Sequence, residues 1–126
     1  MTKSLTPNQK IWLDALRSGE YEQGEGILHE IVDGKESFCC LGVAAKIFAS
    51  TDTMPTIKKE IHQGKEYVVY DGMSHLAPDY VIDALSLLDE CGSSSASTAL
   101  SSMNDMGKTF AEIADYFIAN LENYVK

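Results

Sequence analysis

Apolar residues recur at helical spacing in several stretches of the chain and follow a strand-like pattern in others. The first helical stretch opens at Thr6-Pro7-Asn8-Gln9. Thr6 suits an N-cap, Pro7 the first helical position, and Gln9 the far end of a capping box. Ile11, Trp12, Ala15 and Leu16 then predict an apolar stripe, and Ser18-Gly19 its stop. Tyr21 to Gly26 reads as an irregular, glycine-bearing connection. Residues 27–32 (ILHEIV) predict a strand, Asp33-Gly34 a hairpin turn, and residues 35–39 the returning strand. The apolar, small-residue segment from Cys40 to Ala49 predicts the most buried helix.

A second hairpin is predicted from Ile57–His62 and Lys65–Tyr70 around Gln63-Gly64, with Asp71-Gly72 turning the chain again. Pro78 predicts the opening of a helix that carries Val81, Ile82, Leu85 and Leu88 inward. CGSSSAS, residues 91–97, reads as an exposed loop, and Thr98 to Met103 as a short helix. Asn104-Asp105-Met106-Gly107 predicts a turn. Thr109 and Glu112 form a capping box for a last helix to about Tyr124, with Phe110, Ile113, Ala114, Phe117 and Leu121 on one face. The expected fold is α+β. It is a single domain over residues 1–126, with four or five helices packed on two β-hairpins that form a small antiparallel sheet.

Charge narrows the functions available. The 126 residues carry a formal net charge of −9, which opposes binding to phosphate backbones and to anionic membrane surfaces. Direct nucleic-acid partners and membrane partners are therefore not expected. The acids Glu20, Glu22, Glu25 and Glu30 read as a solvated surface, not dense enough to mimic nucleic acid as the leading idea. The opening segment MTKSLTPNQK lacks the apolar core of a signal peptide, and no apolar run reaches membrane-spanning length. With three cysteines, two of them adjacent, the expected compartment is a reducing cytoplasm.

The adjacent pair Cys39-Cys40 is the conspicuous chemical feature. A thiol at a strand-to-helix junction can be activated by the helix N-terminus, and His62 or His75 could serve as its base. That makes a cysteine-dependent hydrolase the alternative reading. Against it, the neighbours Phe38, Leu41, Val43, Ala44 and Ala45 favour cysteines packed as small apolar groups. His29, His62 and His75 are isolated, no metal-ligand spacing occurs, and no metal or cofactor is expected. The segment GKTFAEIADYF is similar to the first helix of a helix-turn-helix, but no basic recognition helix follows it. Arg17, Tyr21, Gln23, Asn104 and Asp105 sit at helix ends and in loops, where binding residues concentrate, and are the candidate ligand-binding residues.

Three blocks stand out together: WLDALRSGEYEQ from Trp12 to Gln23, FCCLGV from Phe38 to Val43, and MNDMGKTFAEIAD from Met103 to Asp115. Their order and content resemble a widespread group of small proteins of tailed bacteriophages and prophages. The resemblance implies a phage setting without a mechanism. The expected function is that of a non-enzymatic phage accessory protein acting in the host cytoplasm. Counter-defence is the expected role, by occupying a host protein or by sequestering a small nucleotide signal, with homo-oligomerisation a further expectation.

Overall fold

The computed structural model describes residues 4–49, 55–95 and 98–126. Residues 96–97 of the CGSSSAS segment lie outside it. Helix α1 (Pro7–Ser18) starts as its sequence dictates: Gln9 N–H donates to Thr6 Oγ1 at 3.1 Å, and Thr6 N–H donates to Gln9 Oε1 at 2.8 Å. Gln9 is itself buried, because its Nε2 reaches on to the Leu85 carbonyl at 2.8 Å. The buried face of α1 is Trp12, Leu13 and Leu16, whereas Ile11 is 51% exposed. The stripe expected from periodicity included Ile11 and not Leu13; the fold buries Leu13 in its place.

Strands β1 (His29–Val32) and β2 (Lys35–Phe38) form the first hairpin, β3 (Ile57–His62) and β4 (Lys65–Tyr70) the second. Both close through two-residue turns, Asp33-Gly34 and Gln63-Gly64, in which each residue has positive φ, as type I′ hairpins require. The hairpins share one antiparallel sheet of order β2-β1-β4-β3, joined where Glu30 pairs with Tyr67 and Ile31 with Glu66. His29, Phe38, Val68 and Tyr70 lie on one face of it and are buried.

Helix α2 (Cys40–Ile47) is the central element: every residue from Cys40 to Ala45 is buried. Gly42 makes that possible. A Cβ there would stand 1.6 Å from the Leu28 carbonyl oxygen, so the backbone leading into β1 crosses the helix in direct contact. The indole Nε1 of Trp12 donates to the Cys40 carbonyl at 2.9 Å and fixes α1 on the same helix.

Helix α3 (Asp79–Leu85) ends at Ser86, whose φ is +57°, and this turn buries Leu87 and leaves Leu88 39% exposed, the reverse of the simple helical expectation. Pro78 is its N-cap and not its first residue. Helix α4 (Leu100–Asp105) takes in Asn104 and Asp105, which sequence placed in the following turn. The last helix is two: α5 (Phe110–Ala119), with both arms of the Thr109–Glu112 capping box formed, and α6 (Leu121–Tyr124). They part at Asn120, whose backbone and side-chain N–H groups both donate to the Tyr116 carbonyl at 3.0 Å. The described residues thus hold six helices where four or five were expected, on the expected pair of hairpins.

Candidate functional site

The three sequence blocks meet at the start of α2. Glu22 to Gly24 runs beside the end of β2: Phe38 N–H donates to the Glu22 carbonyl at 2.8 Å and Gly24 N–H to the Phe38 carbonyl at 2.7 Å. That pairing turns Gln23 toward α4 and α5. Its Nε2 donates to Asn104 Oδ1 at 3.1 Å and to the Lys108 carbonyl at 2.6 Å, and its Oε1 accepts from Phe110 N–H at 3.0 Å. Asn104, fully buried, accepts from Cys40 N–H at 3.1 Å and donates to the Gly24 carbonyl at 2.7 Å. Asp105 accepts from Gly26 N–H at 2.8 Å.

Two carboxamides thereby cap helix ends whose first N–H groups have no partner within the helix. Gln23 serves an orphan N–H at the start of α5, and Asn104 does the same at the start of α2. Of the five candidate ligand-binding residues, the fold brings Gln23, Asn104 and Asp105 together, each engaged with the protein's own backbone. Tyr21 packs edge-on against Phe38 at 5.3 Å. Arg17 reaches across to Asp115 of α5 in an exposed ion pair. Among the described residues, no buried side-chain nitrogen or oxygen lacks a partner, so the buried polar atoms of this cluster are all engaged within the chain.

The cysteines occupy the junction that activation would require, but not its environment. Cys39 is the N-cap of α2, and its sulfur accepts from Gly42 N–H at 3.4 Å. Burial pushes its thiol up to about 11, outweighing the N–H groups that favour the thiolate. Cys40 is raised as well, again by burial, and its thiol donates to the Leu100 carbonyl at 3.6 Å. His62 and His75 are exposed. His62 lies 3.2 Å from Glu60 and His75 2.7 Å from Ser74 Oγ, and no hydrogen bond links either one to a cysteine among the described residues. Nor do the described residues contain a group of three or more His, Cys, Asp or Glu side chains placed to hold a metal ion.

The open surface beside the cluster is a groove of about 490 Å³ between α4 and α5. Met103, Met106, Tyr116 and Ala119 supply its apolar lining, with Thr98, Lys108, Glu112 and Asp115 around them. Met106 is 70% exposed and Tyr116 38%. Sequence reasoning passed over these residues. The signal was present in α5, where Glu112, Asp115, Tyr116 and Ala119 recur at helical spacing on the side opposite Ile113 and Phe117.

The model of a family described as a domain of unknown function (DUF8296) matches residues 7–121. The chain belongs to that family. No curated protein and no solved structure matches it. The DUF8296 match runs from the first residue of α1 to the first of α6 and so takes in all three blocks and the whole sheet. No helix among the described residues of this DUF8296 chain is long and apolar enough to cross a membrane.

Proposed function

We propose that this protein is a non-enzymatic phage accessory protein. In this reading it acts by occupancy in the host cytoplasm, in a counter-defence role, by holding a host protein in the groove between α4 and α5. The observation that carries it is the contrast between two neighbouring surfaces. Gln23 and Asn104, the half-buried and buried carboxamides of the blocks, are consumed in holding α2, α4 and α5 together. The groove next to them leaves methionine and tyrosine side chains at the surface, and adaptable methionine with a rigid aromatic is a composition suited to protein contacts. The phage setting rests on the resemblance of the blocks.

Charge decides between the two occupants considered. Asp115 is held by Arg17, so the groove itself sets Lys108 against Glu112, in a chain of formal net charge −9. That net charge opposes an anionic nucleotide, whereas a protein segment with apolar and basic side chains is complementary to it. The reading of Cys39 or Cys40 as a nucleophile draws no support from thiols that are buried and raised in pKa.

A photo-crosslinking side chain at Met106, compared with one at the exposed Lys35 of β2, tests the reading in host cells. The expected result is a discrete host-protein adduct from position 106 alone, lost when Ala119→Arg fills the groove. Equal adducts from both positions, or a nucleotide retained in stoichiometric amount by the purified protein, would refute it.

A further inference from the structure

Strand β3 stands apart in what touches it. Every residue from Ile57 to His62 is exposed, Ile57 by 51% and Ile61 by 74%, and among the described residues its one strand neighbour is β4. The closing pair of its two-residue turn, His62 and Lys65, is the hydrogen-bonded kind. Alternation then turns the N–H and C=O groups of Lys58 and Glu60 toward β4 as well. Those of Ile57, Lys59 and Ile61 point outward, along an edge that no other described strand covers. The side chains of the same three residues share the sheet face of Tyr70, Val68 and Glu66. An incoming strand would therefore meet a row reading apolar, basic, apolar.

A second copy of the chain fits this edge poorly. The two-fold antiparallel registers that pair five of the six strand residues are centred on Lys59 or Glu60 and place that residue opposite itself, like charges directly opposed across a ladder being destabilising, and registers centred on Ile57 or Ile61 pair only the ends of the strand. A wholly apolar strand would leave Lys59 uncompensated, which is how edge lysines guard against aggregation. The present partner of Lys59 is Glu66, at 3.7 Å with the lysine side chain 66% exposed. That is an exposed pair of small worth, and it leaves the ammonium free to meet an arriving carboxylate.

We propose that β3 is the docking edge for an extended segment of a partner protein whose alternate residues read apolar, acidic, apolar. The segment joins the sheet as a fifth strand, its acid against Lys59 and its apolar residues against Ile57 and Ile61. This surface is independent of the α4–α5 groove and does not rest on the function proposed for it.

The test uses the full chain and an end-capped peptide with a central glutamate, valines two positions either side, and threonines between. Hydrogen exchange by NMR is expected to show new protection at the amides of Ile57, Lys59 and Ile61, with those of Lys58 and Glu60 unchanged. Lys59→Glu is expected to weaken binding by about tenfold, and a peptide with central lysine to restore it. Lys59→Pro removes an outward N–H without touching the ladder to β4 and is expected to abolish protection. Thermal midpoints of both variants establish that they fold. Absence of protection at millimolar peptide, or equal binding of glutamate-, threonine- and lysine-centred peptides, would overturn the proposal.

Discussion

Replacing Gly42 by alanine sets two effects of opposite sign against each other inside α2. In a helix interior alanine is preferred over glycine by about 1 kcal/mol, so propensity alone predicts stabilisation. Packing predicts the reverse. The new Cβ would lie 1.6 Å from the Leu28 carbonyl oxygen, 2.4 Å from its carbon and 2.8 Å from its Cα, and none of these backbone atoms can rotate aside. To reach ordinary contact the helix must retreat by roughly 1.5 Å or more. That movement strains the bonds made at its first turn, from Trp12 Nε1 to the Cys40 carbonyl and from Cys40 N–H to Asn104. Overpacking costs about 1–3 kcal/mol and each weakened hydrogen bond about 1 kcal/mol more. After subtracting the alanine preference, the net loss is about 3 kcal/mol, which lowers the melting temperature by roughly 10 °C in a domain of this size. Urea unfolding followed by circular dichroism measures it. Gly19→Ala is the control, since Gly19 has φ +79° and a methyl added there would meet nothing within 4 Å, and only the backbone cost of about 1 kcal/mol is expected. A Gly42→Ala protein within about 1 kcal/mol of wild type would refute the close-approach argument.

Three further outcomes follow from the interior. Asn104→Ala leaves Cys40 N–H and the Gly24 carbonyl without partners and is expected to cost about 2–4 kcal/mol in the same urea assay, with Gln23→Ala smaller because Gln23 is half-buried. Iodoacetamide at pH 8 is expected to label the partly exposed Cys91 first. Cys39 and Cys40 should react at least about 100-fold more slowly than in denaturant. Mass mapping that found Cys39 labelled as fast as Cys91 would contradict their burial. His29 lies between Tyr70 Oη and Glu36 Oε1, each at 2.9 Å, and burial, outweighing the Glu36 carboxylate, holds its pKa below the usual 6.5. The unfolded chain therefore binds this proton first. Its contribution is present in full above pH 6.5 and is lost as pH falls toward the folded value. Urea midpoints at pH 7.5 and 5.5 should diverge less in His29→Gln than in wild type.

The features visible along the chain are those whose physics closes within a few residues. Both capping boxes form as predicted, because Thr6 with Gln9 and Thr109 with Glu112 need only one helical turn to meet. The glycine-bearing turns at residues 33–34 and 63–64 set the hairpins for the same local reason, and the α+β class follows from them. The extra helix was not visible, because the break at Asn120 interrupts an apolar stripe that reads as continuous. The grouping of Arg17, Tyr21, Gln23, Asn104 and Asp105 as polar residues at element ends was legible, but their use was not. Gln23 meets a partner 81 residues away, and only the assembled core turns both carboxamides inward.

The same division holds for the cysteines and for the surfaces. Short-range pattern placed Cys39 at a strand-to-helix junction, since backbone geometry there depends on adjacent residues. Whether its thiol could react depended on burial, a sum over contacts distant in sequence. Alternation marked residues 57–62 as a strand, yet which of its edges stays open is a matter of sheet order, β2-β1-β4-β3. Hydrogen bonds within a turn are local and are written in neighbouring residues. Desolvation, the pairing of remote polar groups and the exposure of an edge exist only once the chain has closed on itself.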